Sequence, residues 1–243
     1  MKIKIGSCSL KLAILPVLTY LCLTILLVLL GNWQLSRSQE KAELLAQQEL
    51  RLRAPSLRLD LDRVDTIGDL RYRTVEIEGR FDTDRQFLID NQIRHGKPGY
   101  FVMTPLIAEN SGRAVLINRG WVALNADRSI LPDVAMQEPK AVVRGRINEF
   151  PAIGLKLQGA EIPTESWPSI VQVVDNGVLA EKLGYPLAAF QIELDAASGE
   201  GYLREWTVAA TIPPEKHVAY AMQWFGLALA LTVLFFWYSC KIE

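Results

Sequence analysis

Two apolar runs, one near each end, constrain what this chain can fold into. Residues 12–30 contain no charged side chain. As a helix the run spans roughly 28 Å, close to the hydrocarbon thickness of a bilayer. A secretory signal would have a shorter apolar core followed by a small-x-small cleavage site. The run is followed instead by Gly31-Asn32-Trp33-Gln34, so it reads as a retained anchor. Pro16 is tolerable in a membrane helix. The second run starts at the stretch His217-Val218-Ala219-Tyr220-Ala221-Met222-Gln223-Trp224-Phe225 and ends near Cys240.

From Trp33 onward the chain turns polar and rich in helix formers, so the first helix is expected to continue into water until Pro55 stops it. These signals divide the chain into a cytoplasmic start (1–11), a first transmembrane helix (12–32), a juxtamembrane helix (33–54), a strand-rich domain (55–216), a second transmembrane helix (217–240) and a cytoplasmic end (241–243). Lys2, Lys4 and Lys11 precede the first run and Lys241 follows the second. The segment between is about 185 residues, and long segments translocate largely regardless of charge. Both ends are therefore expected in the cytoplasm and the middle outside it.

Composition narrows the chemistry. A net charge of -1 gives no argument for nucleic-acid binding. The 50% hydrophobic content is concentrated at the two ends, where it reports spans in contact with membrane lipid. The three cysteines are Cys8, Cys22 and Cys240, so the middle has neither a disulfide framework nor a thiolate zinc site. With only His95 and His217, a His-rich zinc site is also excluded; a single axial ligand to a haem iron is not.

The middle reads as strands. Val75, Ile77, Gly79 and Phe81 alternate with Glu76, Glu78 and Arg80, the pattern of a half-buried strand. Further strands are expected over 86–91, 100–107, 113–122, 141–147, 170–174, 190–194 and 203–208. Turns are expected at His95-Gly96-Lys97-Pro98-Gly99 and Glu109-Asn110-Ser111-Gly112, and a short helix over 177–183 closed by Gly184. The expected fold class is membrane α plus all-β: two transmembrane helices flanking one antiparallel β-barrel or sandwich-like extracytoplasmic domain with a short helix.

No catalytic arrangement emerges. The chain has no Gly-x-Ser-x-Gly elbow, no Walker loop and no cysteine nucleophile in the domain. His95 fits a solvated turn, and Asp82, Asp84 and Asp90 flank strands singly. With no nucleophile, base and orienting group to name together, the chain is read as a non-enzyme. Two clusters carry other chemistry. In Asn118-Arg119-Gly120-Trp121-Val122, Arg119 and Trp121 suit an anionic group and a flat ring; an ordinary strand bulge is the alternative. At the membrane boundary His217, Tyr220, Ala221 and Trp224 share a helical face. If the two spans pair, Trp33, Gln34 and Arg37 lie at about the depth of His217 and Tyr220. Trp faces suit a flat apolar ligand, His its iron and Arg its carboxylates. An aromatic belt with an interfacial Trp33–Arg37 anchor pair explains the same residues without a ligand.

The segments Gly31-Asn32-Trp33-Gln34-Leu35-Ser36-Arg37, Tyr72 with Gly79-Arg80-Phe81-Asp82, Gly96 to Gly99 with Tyr100 and Thr104-Pro105-Leu106, Ile117-Asn118-Arg119-Gly120-Trp121-Val122, and His217 with Tyr220-Ala221 and Gln223-Trp224-Phe225 follow one another in a familiar order. The chain resembles the surfeit locus protein 1 family, which assists assembly of cytochrome c oxidase. It departs from the family at Gln92, where Arg is common. For a bacterial member the resemblance implies a multi-pass protein of the cell inner membrane with its main domain in the periplasm. It also implies partners in the large subunit of cytochrome c oxidase and the haem a synthesis machinery, and transient handling of haem a. In some members the matching His is implicated in holding haem, which carries over to His217 alone, as the metal ligand. Tyr220, Trp224, Trp33, Arg37, Arg119 and Trp121 join it as cofactor-binding candidates on chemistry and placement. The competing reading is a membrane-anchored assembly scaffold that binds oxidase subunits and no cofactor.

Overall fold

The computed structural model describes residues 2–5, 8–11, 14–64, 66–136, 139–151, 158–199, 201–206 and 212–242. In chain order these form β1 (Lys2–Ile5), β2 (Cys8–Lys11), α1 (Ile14–Arg53), β3 (Leu57–Arg58), β4 (Thr74–Phe81), β5 (Phe87–Arg94), β6 (Lys97–Ala108), β7 (Ala114–Ala123), β8 (Lys140–Asn148), β9 (Ser169–Val171), α2 (Asn176–Leu183), β10 (Leu187–Leu194), α3 (Pro214–Ser239) and β11 (Cys240–Ile242). Contacts divide the chain into two units: Met1–Gln47 with Val208–Glu243, and Gln48–Thr207.

The first unit is a helix pair with a small antiparallel sheet of β1, β2 and β11. α1 is one unbroken helix of 40 residues, which covers the stretches expected as transmembrane and juxtamembrane helices. Pro16 falls in its first turn, where the missing N–H has no intrahelical acceptor to lose. Arg51 and Arg53 lie in its last turn, beside the negative end of the helix dipole, and Pro55 follows. α3 begins with Pro214, whose fixed φ suits a first helical position, and carries Glu215 in the same turn. Both α1 and α3 are long and apolar enough to cross a membrane.

The two helices run antiparallel. Tyr20 stacks on Phe235 at 4.2 Å between ring centroids and its hydroxyl shares a 3.1 Å hydrogen bond with Thr232. Gly31 lies against the Phe225 ring, and Ser38 Oγ donates to the Pro214 carbonyl at 3.0 Å. Covered positions on α1 recur every three or four residues (Tyr20, Thr24, Leu27, Gly31, Gln34, Ser38), which makes one packed face. Small residues permit the approach: Gly31 on α1, and Ala221 and Ala228 on α3, are all buried. The outward faces are apolar, with Leu18, Leu21, Leu29, Leu227, Val233 and Phe236 exposed, as lipid contact requires.

The second unit holds an eight-stranded sheet in the order β3-β4-β8-β10-β7-β6-β5-β9, with a further pairing of β4 to β6 at Gly79, Arg80 and Phe81. The expected antiparallel barrel or sandwich needs correction. The sheet is mixed and is not a closed barrel: β10 runs parallel to β7, β9 parallel to β5 and β3 parallel to β4. β10 inserts between β8 and β7, which run in opposite directions, so it is antiparallel to β8 and parallel to β7. Parallel neighbours cannot be joined by a tight hairpin, and β7 and β10 are far apart along the chain.

Hairpins behave as local chemistry dictates. His95 (φ 50) and Gly96 (φ 72) form the two-residue turn between β5 and β6. Asp175 caps α2 by accepting from the N–H groups of Gly177 and Val178, and Gly184 (φ 81) ends it. β4 buries alternate residues, including Val75, Ile77 and Phe81, whereas β6 and β7 are buried almost throughout. Over 203–206, the described part of the strand expected at 203–208, no regular strand forms. Leu203 makes an isolated bridge to Trp121, and residues 207–208 lie outside the described residues. Side chains hold this stretch instead: Arg204 donates to the carbonyls of Asp195 and Ser198, and Trp206 Nε1 to that of Leu194.

Candidate functional site

At the mouth of the helix pair, His217 Nδ1 and Gln34 Oε1 are 2.8 Å apart, both residues half-buried. The helices come close enough because Gly31 lies one turn before Gln34 and Ala221 one turn after His217. The Ser38 hydroxyl fixes the start of α3 just outside. With Gln34 accepting, Nδ1 carries the proton, so in the neutral ring Nε2 keeps its lone pair. Among the described residues Nε2 has no bonding partner. An imidazole oriented through one nitrogen with the other free is the arrangement that suits a single bond to a metal. Among the described residues no group of three or more His, Cys, Asp or Glu could hold a metal ion by itself.

The other boundary residues are less gathered. Trp33 and Tyr220 are 54% and 48% exposed, on the outside of the pair rather than in its seam. Trp224 is half-buried. Arg37 is exposed and paired with Glu40 at 2.6 Å on its own helix. The structure therefore joins His217 to Gln34 and leaves Trp33, Arg37 and Tyr220 at the surface around them.

Arg119 and Trp121 belong to the strand unit. Phe101 pairs with Trp121 and Met103 with Asn118, so Arg119 and Gly120 together oppose the single residue Val102 in a bulge. Gly120 takes φ 117 there, and a β-carbon on it would lie 2.8 Å from the Leu203 carbonyl oxygen. The bulge turns Arg119 inward to 4% exposure. Its Nη1 donates to Gln86 Oε1 and to the Val134 carbonyl, each at 3.0 Å, and its guanidinium lies 5.3 Å from the Tyr202 ring centroid. Gln86 Oε1 also accepts from Thr104. Trp121 Nε1 donates to the Gln92 carbonyl at 2.7 Å. Sequence reasoning missed Gln86 and Thr104, because nothing local marks a polar residue that becomes a partner across three strands. Elsewhere in the unit, burial and a hydrogen bond to Asp82 push the Tyr185 phenol far above its usual range.

The SURF1 family profile matches residues 21–229. A SURF1-like protein of Rickettsia bellii is 29% identical over 232 residues, covering 93% of this chain and 91% of its own length. Surfeit locus protein 1 of Rattus norvegicus is 24% identical over 223 residues, 85% of this chain and 70% of its own. Cytochrome oxidase assembly protein SHY1 of Saccharomyces cerevisiae is 32% identical over 105 residues, 43% of this chain and 26% of its own. The matched span runs from α1 through the sheet into α3 and includes Gln34, Arg119 and His217, so both units fall under one identification. The chain belongs to the SURF1 family.

Proposed function

We propose that this chain is an assembly factor for cytochrome oxidase that holds haem a on its way to the large, haem-bearing subunit, with His217 as the residue that would bind its iron. Family membership and the name of the yeast relative support the assembly role. The observation that carries the haem role is the His217–Gln34 hydrogen bond, which orients the imidazole and leaves Nε2 free. The residues present fit the group: one imidazole for iron, exposed Trp33 and Tyr220 on the outside of the same helix pair for a flat ring, and apolar helix faces for a hydrocarbon tail. When bound, haem a supplies an iron with a coordination position for a nitrogen donor. The chain supplies orientation. Gln34 holds the proton on Nδ1, and Arg37 offers a cation near the boundary for carboxylates, in exchange with Glu40. A single protein ligand suits a carrier, since cargo held at one position is released more readily than cargo held at two. The protein is a multi-pass component of the inner membrane in this reading, with its main domain, residues 55–216, in the periplasm.

The test is haem content per protein, purified from cells that make haem a. His217→Ala is expected to lose most of the haem while staying in the membrane with an unchanged proteolysis pattern. Arg37→Ala should lose less, because an exposed ion pair contributes little. Haem retained in His217→Ala, or absent from the unmodified chain, would replace this reading with a cofactor-free scaffold for oxidase subunits. A periplasm-dependent reporter fused after Glu243 should be silent; an active fusion would invert the proposed topology.

A further inference from the structure

A cavity of about 430 Å³ lies in the strand unit where β10 ends, within the size range of ligand sites. Phe81, Met136, Val142 and Leu194 give it apolar walls, and Arg119 lines it as well. The cavity lies where β10 ends before its neighbour β8 does. The last residue of β10, Leu194, pairs with Gly145, while β8 extends back to Lys140. On β8 the odd-numbered residues turn their main-chain groups toward β4: Ile147 exchanges hydrogen bonds with Tyr72 and Arg73, and Pro139, just ahead of the strand, accepts from Phe81. The even-numbered residues face the other way, and the Arg144 carbonyl accepts from Asp195 N–H at 2.9 Å. Val142, two residues earlier, therefore turns its N–H and C=O to the side where β10 has already ended, and it is 65% exposed.

Arg119 adds a charge to a cavity that Asp195 also lines, but Asp195 faces Arg144. The two acceptors of Arg119, Gln86 Oε1 and the Val134 carbonyl, are uncharged, and its Nε has no partner. Among the described residues no carboxylate pairs with it. A buried cation without a counter-ion is costly, and an anion entering the cavity offsets that cost. Arg144 does not serve the same purpose, since it is exposed and already faces Asp195 at 3.6 Å.

We propose that this cavity binds the free carboxyl end of a peptide segment in extended form. Its carboxylate meets Arg119, its main chain bonds to Val142, and its last side chains lie against Phe81, Met136 and Leu194. The unpaired main-chain groups at Val142 favour a peptide over a simple fatty carboxylate, which has nothing to offer them. The proposal is independent of the haem reading.

The experiment uses the full chain immobilised in detergent micelles and two pools of random hexapeptides with an aliphatic last residue, one pool as free acids and the other as C-terminal amides. Retained peptides are counted by mass spectrometry. The acids should be retained at least about tenfold over the amides, the value of a charge-assisted hydrogen bond. Val142→Pro removes the N–H that faces the cavity and should lower retention of the acids about threefold to tenfold. Arg119→Gln should abolish the preference for acids. Because the acid–amide comparison needs no mutation, it stands even if Arg119→Gln fails to fold. Equal retention of the two pools, retention of neither, or retention unchanged by Val142→Pro overturns the proposal. Hexanoate competing as well as free peptide would assign the cavity to small carboxylates and overturn the peptide form.

Discussion

Gly99→Ala should be among the most damaging small substitutions in the strand unit. Gly99 sits on β6 between Gln92 of β5 and Ala123 of β7, and the Trp121 side chain crosses over it to reach the Gln92 carbonyl. A β-carbon on Gly99 would lie 2.2 Å from the Val122 carbonyl oxygen and 2.5 and 2.6 Å from Trp121 Cε2 and Cζ2, where ordinary contact begins near 3.4 Å. Backbone on one side and a packed indole on the other leave no flexible group to yield. The strands must part by about an ångström, an overpacking penalty of about 1–3 kcal/mol. The indole then loses its 2.7 Å hydrogen bond, for about 1 kcal/mol more. The sum is about 2–4 kcal/mol, or a melting temperature lowered by about 5–15 °C for a domain of this size. Gly112→Ala is the control: φ is 65 there but nothing lies within 4 Å, so only backbone strain of about 1 kcal/mol applies. The assay is thermal unfolding of a soluble fragment spanning residues 48–207, followed by far-ultraviolet circular dichroism and Trp fluorescence. Gly99→Ala melting within about 2 °C of the unmodified fragment, or less affected than Gly112→Ala, would refute the steric argument.

Two further outcomes are expected. Gly31→Leu should part α1 and α3 and break the Gln34–His217 contact, because even its first carbon would lie 2.6 Å from Phe225 Cε1; Phe225→Ala in the same chain should restore part of the haem content, and no loss in Gly31→Leu would sink the packing account. Burial and Asp82 raise the folded-state pKa of Tyr185, so the folded unit holds that proton more tightly than the unfolded chain. Its contribution to stability is complete below the ordinary tyrosine value of about 10 and is lost as pH rises above it. The fragment should therefore lose stability more steeply above that pH than its Tyr185→Phe variant, and the opposite order in urea titrations would contradict the assignment.

The sequence was most readable where structure is local. Alternation at Val75, Ile77 and Phe81 marks β4 because only one face of that strand is buried, and Gly184 marks the end of α2 because a left-handed residue is needed there. Strand direction was not readable. Nothing in the composition of β10 records that it lies parallel to β7, because its direction follows from its insertion between β8 and β7, which run opposite ways, rather than from the strand's own residues. The stretch after Gly201 misled for a related reason. Leu203 and Trp206 have strand-like chemistry, yet Arg204 and Trp206 anchor the backbone through side chains to carbonyls near the end of β10, and among the described residues a regular ladder does not form.

The site divides along the same line. Gln34 and His217 could be placed at one depth because each is counted along a helix from a recognisable membrane boundary, and a helix converts sequence distance into physical distance at a fixed rise. Which of the boundary residues face the partner helix is a matter of rotation, decided by small residues elsewhere. Gly31 and Ala221 set the contact face, which turns Gln34 and His217 in and leaves Trp33 and Tyr220 out. The burial of Arg119 was beyond local reading altogether. It depends on a bulge against Val102 and on acceptors from Gln86 and Val134, distant in sequence. A charged residue beside a glycine at a strand end looks alike in sequence whether it meets water or a cavity. Only the early end of β10 at Leu194 decides between them, by leaving Arg119 to line a space that no strand fills.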